Sequence, residues 1–97
     1  VLEAALAVAR ADRFNLAVAA LEPLLREFLD DRGVELRDLP PASETTRLSI
    51  LAADRYRHGR RGLNLGDCLH YACARFFDAA MLSTADEFRK TDLRVLD

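Results

Sequence analysis

An α/β fold is what this sequence predicts, and three observations carry the prediction. Apolar residues recur at helical spacing over 14–30, 42–57 and 65–79. Short segments of extended character, 34–39, 80–84 and 94–96, lie between or after them. Breakers separate the two kinds: Asp30-Asp31-Arg32-Gly33, Pro40-Pro41, and the two-glycine run 58–63. Helices placed between short strands favour parallel pairing. The 97 residues make room for one domain, 1–97. A composition of 51% hydrophobic and 31% charged residues excludes a disordered, collagen-like or disulfide-dense chain. No run approaches the roughly 18 consecutive apolar residues of a membrane span.

The elements follow in order. Residues 1–9 read as an Ala- and Leu-rich helix that is apolar nearly all round, interrupted only by Glu3. Such a helix is normally buried on every side. The expectation is therefore a chain that starts inside a helix and represents the C-terminal portion of a longer domain. A break at 10–13 leads to the helix 14–30, with Leu16, Ala20, Leu21, Leu24, Leu25, Phe28 and Leu29 on its apolar face. Pro23 either kinks it or opens a fresh first turn. Gly33 suits the residue just past its end. Val34-Glu35-Leu36-Arg37-Asp38-Leu39 alternates with the period of a strand. After Pro41 the helix 42–57 presents Leu48, Leu51 and Ala52. Asn64 caps the next helix, 65–79, whose inner stripe reads Leu69, Ala72, Cys73, Phe76 and Ala80. A short strand follows at 80–84, one helical turn at 86–88, and a last strand at 94–96. No Val/Ile/Leu-rich central strand is visible, which accords with N-terminal strands lying before Val1.

Net charge is −2, and 13 of the 14 basic residues are arginine. The basic excess is local: Arg55, Arg57, His58, Arg60 and Arg61. Cys68 and Cys73 stand about 140° apart on one helix and cannot pair. They read as buried free thiols of a reducing, cytoplasmic setting.

Most acids fall on polar helix faces or ends, but three do not. Glu3 sits in the apolar opening, where a lone carboxylate is costly unless paired, hydrogen-bonded or metal-bound. Asp67 lies in the first turn after Asn64, where the helix dipole favours it. Asp86 follows a strand, at the end where α/β sheets place functional groups. Three carboxylates from separate segments form the kind of set that holds Mg²⁺ or Mn²⁺. Phosphodiester-cleaving enzymes use such ions.

The stretch Leu63-Asn64-Leu65-Gly66-Asp67-Cys68-Leu69-His70-Tyr71-Ala72-Cys73-Ala74 resembles the N-[LF]-G-D-C-x-x-Y-A-x-A segment of PIN-domain ribonucleases of the VapC toxin type. Residues 81–93, with Asp86-Glu87-Phe88 and Thr91-Asp92, resemble that family's closing segment. Tyr56-Arg57-His58-Gly59-Arg60 resembles its basic loop, and Val1-Leu2-Glu3-Ala4 is similar to its acid-bearing helix. The resemblance implies a PIN-like three-layer fold, short parallel strands flanked by helices, with the N-terminal strand or strands missing. It implies a Mg²⁺- or Mn²⁺-dependent endoribonuclease toxin, neutralised by a VapB-type antitoxin and usually homodimeric. Carried over by position, Glu3, Asp67 and Asp86 are the catalytic and metal-binding acids. The family's first-strand Asp has no counterpart. Thr84 matches a polar position near the metal, and Asp92 is not expected to be a ligand. Arg57, Arg60 and Arg61 are the expected RNA contacts, since guanidinium forks match phosphates. His70, on a largely apolar helix, is expected to be a hydrogen-bonded packing residue rather than a general base. Two other readings stay open: a catalytically inactive PIN-like interaction domain, and a fragment of an unrelated α/β enzyme.

Overall fold

Pro23 opens a helix rather than kinking one. In the computed structural model, which describes residues 17–59, 62–83 and 86–96, a 3₁₀ turn at Val18–Leu21 runs into α1, Glu22–Asp31, with Pro23 in the first turn. There its missing N–H leaves no helical bond unmade. The far end closes as the sequence predicts. Gly33 adopts φ +69°, its N–H donates to the Asp30 carbonyl at 3.0 Å, and Val34 N–H donates to Leu29 at 2.9 Å. This is the Schellman arrangement, which needs a left-handed residue at that point. The predicted helices at 1–9 and 14–16 lie outside the described residues.

The backbone contacts divide the chain into two units, with the boundary between Arg37 and Asp38. In the first unit the predicted apolar face is buried, among the described residues, only at Leu21. Leu24 and Phe28 are exposed and Leu25 and Leu29 half-buried. The Phe28 ring instead carries the Arg32 guanidinium 3.6 Å from its centroid. The strand predicted at 34–39 does not form. Val34, Leu36 and Leu39 are all exposed, because alternation makes a strand only when a neighbouring strand takes up its backbone groups.

The second unit holds the core. Thr45 Oγ1 donates to the Pro40 carbonyl at 2.8 Å, and α2 runs over Ala42–Tyr56, burying Leu48 and Ala52. A tight loop returns the chain, with Leu63 N–H donating to the Tyr56 carbonyl at 2.8 Å. A Cβ on Gly62 would stand 2.8 Å from the Arg57 carbonyl carbon and the His58 nitrogen, so only glycine lets the two backbone runs approach this closely. Then α3, Leu65–Phe76, packs on α2.

Helix α3 ends three residues earlier than expected. Asp78 takes φ +52°, its N–H donates to Arg75 at 3.3 Å and Ala79 N–H donates to Ala74 at 2.9 Å. This is a second Schellman closure, built on an aspartate where glycine is usual. Asp78→Gly is therefore expected to raise stability by about 0.5–1 kcal/mol. Urea denaturation checks this, and an unchanged or lower midpoint refutes it.

The buried face of α3 is also rotated by about one residue from the predicted stripe. Cys68, Tyr71, Ala72 and Ala74 are inside, whereas Leu69 and Phe76 are exposed. The phase is consistent with Tyr71, which is wholly buried and gives its hydroxyl to Asp92. Its ring meets Tyr56 at 5.5 Å between centroids.

Two strands complete the unit. β1 is Met81–Leu82 and β2 is Val95–Leu96, paired in parallel with Met81 opposite Val95 and Leu82 opposite Leu96. Both are shorter than predicted. A 3₁₀ turn at Asp86–Lys90 lies between them and buries Phe88. Ala52, Leu63, Cys68, Tyr71 and Phe88 form one buried cluster, flanked by Met81, Leu93 and Val95. Among the described residues the architecture is thus mixed α/β, with three α-helices and a small parallel sheet. Among the described residues, no helix is long and apolar enough to cross a membrane.

Candidate functional site

The sequence places its specific motif at the start of α3, and the local chemistry explains its first half. Asn64 Oδ1 accepts the Asp67 N–H at 2.8 Å, and Asp67 Oδ2 accepts the Asn64 N–H at 3.1 Å. This reciprocal capping box satisfies two backbone donors at the helix end. It also places a negative charge at the positive pole of the helix. The other oxygen, Oδ1, has no hydrogen-bond partner among the described residues. Asp67 is half-buried.

Asp86 opens the 3₁₀ turn beyond the carboxyl end of β1. Its side chain is 67% exposed, with the nearest guanidinium nitrogen of Arg89 3.7 Å away. A surface pair of this kind contributes about 0–1 kcal/mol and leaves the carboxylate largely solvated. Asp67 adjoins Cys68, and Asp86 lies two residues before Phe88. Cys68 and Phe88 belong to one buried cluster, whereas the acids themselves are half-buried at Asp67 and exposed at Asp86. Among the described residues, no group of three His, Cys, Asp or Glu side chains is gathered closely enough to hold a metal ion. Glu3, Thr84, Arg60 and Arg61 lie outside the described residues. The donors present are hard carboxylate oxygens, the type that Mg²⁺ and Mn²⁺ take, but they are not a complete ligand set.

Asp92 has a different task. Its Oδ1 accepts the Tyr71 hydroxyl at 2.7 Å and its Oδ2 stands 3.4 Å from Arg75 Nε. The carboxylate ties the end of the second 3₁₀ turn to α3. Next to it, Thr91 Oγ1 donates to the Phe88 carbonyl at 2.6 Å and accepts the Leu93 N–H at 3.2 Å. The Thr91-Asp92 pair thus holds this turn in place through four contacts. Burial and then the Asp92 hydrogen bond push the Tyr71 hydroxyl up to about 12 from 10.0. Nothing in the spacing of Tyr71 and Asp92, 21 positions apart, announces this pair.

Arg57 caps the C-terminal end of α2 and is exposed. Cys68 and Cys73 are free thiols. Burial pushes the Cys68 thiol up, while Arg57 pulls it the other way. Cys73 is half-buried rather than buried, and burial raises its thiol too. His70 is exposed, contrary to the packing role expected of it. With the helix turned so that Tyr71 is inside, the residue before it faces outward.

A set that spacing did not reveal lies on the other side of the basic loop. Arg55, Tyr56, His58 and Gly62 line a cavity of about 150 Å³ together with Glu87 and Lys90 from the 3₁₀ turn. His58 Nε2 lies 2.8 Å from the Asp54 carbonyl. A carbonyl only accepts, so Nε2 carries the proton. No family model, no curated protein and no solved structure matches this chain.

Proposed function

We propose that this chain has a PIN-like fold and the activity of a metal-dependent endoribonuclease of the VapC kind. One observation supports the reading: the ordered motif from Asn64 to Ala74, with Asp67 in the first turn of a capped helix. That motif carries it, because the capping box fixes the Asp67 carboxylate at the start of α3.

In this reading Asp67 and Asp86 are the metal donors and Glu3 is the third acid. A bound Mg²⁺ or Mn²⁺ supplies Lewis-acid stabilisation of the phosphoryl oxygen and an activated water. The chain's own contribution is orientation. The Asn64 N–H holds Asp67 by Oδ2 and leaves Oδ1 open, while Asp86 stands in solvent where an RNA strand has access. Arg57, Arg60 and Arg61 neutralise backbone phosphates. A VapB-type antitoxin peptide, a homodimeric state and a cytoplasmic setting belong to the same reading.

Nicking of single-stranded RNA by the 97-residue chain in Mn²⁺, with saturable Mn²⁺ binding in the low millimolar range or tighter, is the expected result. Intact RNA and no saturable binding overturn it. One observation favours a second reading, an inactive PIN-like interaction domain: the described residues contain no three-donor metal group. Such a domain binds a peptide partner and leaves RNA intact.

A further inference from the structure

We infer that the cavity between Arg55, His58 and Lys90 is a binding site for a phosphate group. It goes beyond the cleavage reading and does not require a metal. Its walls come from segments far apart in sequence: the end of α2, the tight loop, and the 3₁₀ turn between the strands. Two cations converge there. Among the described residues neither Arg55 nor Lys90 has a carboxylate within 4 Å, although other arginines of the chain do.

The opposing charges are small. Glu87 is one carboxylate on the wall, and the C-terminal end of α2 carries about half a negative charge. Against these stand the two full positive charges of Arg55 and Lys90 on the wall. The local field therefore favours an anion. His58 is held by its Nε2 proton on the Asp54 carbonyl, which fixes its ring at the wall. Gly62 is packed against the Arg57 and His58 backbone without room for a Cβ. A guanidinium and an ammonium around about 150 Å³ suit a tetrahedral oxyanion with several acceptor oxygens.

The test is titration of the whole chain with inorganic phosphate in EDTA, followed by amide NMR. Saturable shifts at His58, Gly62 and Lys90 are expected, absent with chloride at equal ionic strength. Arg55→Gln and Lys90→Gln each weaken binding about five- to tenfold, and Glu87→Gln tightens it. Circular dichroism confirms that the variants fold. A second arm adds a uridine hexanucleotide. Competition with phosphate, and a salt slope reduced by about one in Lys90→Gln, assign the site to a nucleic-acid backbone phosphate. Phosphate binding without competition assigns it to free phosphate or a mononucleotide. Shifts no different from those of chloride, or affinities unchanged in both cation variants, overturn the proposal. Because no metal is present, failure of RNA cleavage leaves this result untouched, and failure here leaves the carboxylates untested by it.

Discussion

Tyr71→Ala is expected to lower unfolding free energy by about 3–5 kcal/mol, the range for emptying a buried aromatic site. No other large side chain among the described residues is so fully enclosed. The loss has three sources: apolar area returned to water, the ring contact with Tyr56, and the hydroxyl bond to Asp92. Tyr71→Phe separates them. It keeps the ring and removes only the bond, so it costs about 1–2 kcal/mol. The Asp92 side chain is 40% exposed, and water replaces the lost donor.

The same pair predicts an alkaline effect. Folding raises the Tyr71 pKa from 10.0 to about 12. A raised folded value means that the unfolded chain releases the proton first. The contribution is whole below pH 10 and disappears as pH rises through about 12. Urea midpoints should therefore fall less steeply between pH 10 and 12 in Tyr71→Phe than in the parent chain. The buried thiols, also raised, are common to both proteins and cancel in the comparison. Parallel slopes, or a Tyr71→Ala protein within about 1 kcal/mol of the parent, refute the account.

Asp67→Asn is expected to abolish RNA nicking, by about a hundredfold or more, while leaving the fold in place. The separation arises from the capping geometry. An asparagine at this position still offers an oxygen to the Asn64 N–H and still donates its own backbone N–H to Asn64 Oδ1. What it lacks is the negative charge, which contributes about 0.3–1 kcal/mol at a helix start but is indispensable to a hard cation. Asp67→Ala, in contrast, removes half of the capping box and costs about 1 kcal/mol of stability. Nicking rates and thermal midpoints of the two variants, measured together, discriminate a ligand from a cap. If Asp67→Asn nicks RNA at the parent rate, Asp67 is a cap alone.

Local features were legible because they depend on neighbours in the chain. The Asn64 cap, the Gly33 helix end and the start of α2 after Pro41 all appear where residue type predicts them. Each rests on bonds closed within a few residues. The face of α3 was not legible. Leu69 and Phe76 are more apolar than Tyr71 by composition, yet Tyr71 is inside because Asp92, from another element, takes its hydroxyl. The 34–39 segment failed for the same kind of reason, since alternation states which side a strand would bury and not whether a partner strand exists.

For the candidate site the division is similar. Sequence by itself determined that Asp67 begins a helix and that Asp86 follows a strand, because caps and strand ends are set by short-range backbone bonding. Only the tertiary structure decided that Asp92 is tied to Tyr71 and that Arg55 and His58 share a cavity with Lys90. Those juxtapositions join residues more than 15 positions apart. They come from side-chain packing and burial between elements, and no periodicity along the chain encodes such a meeting.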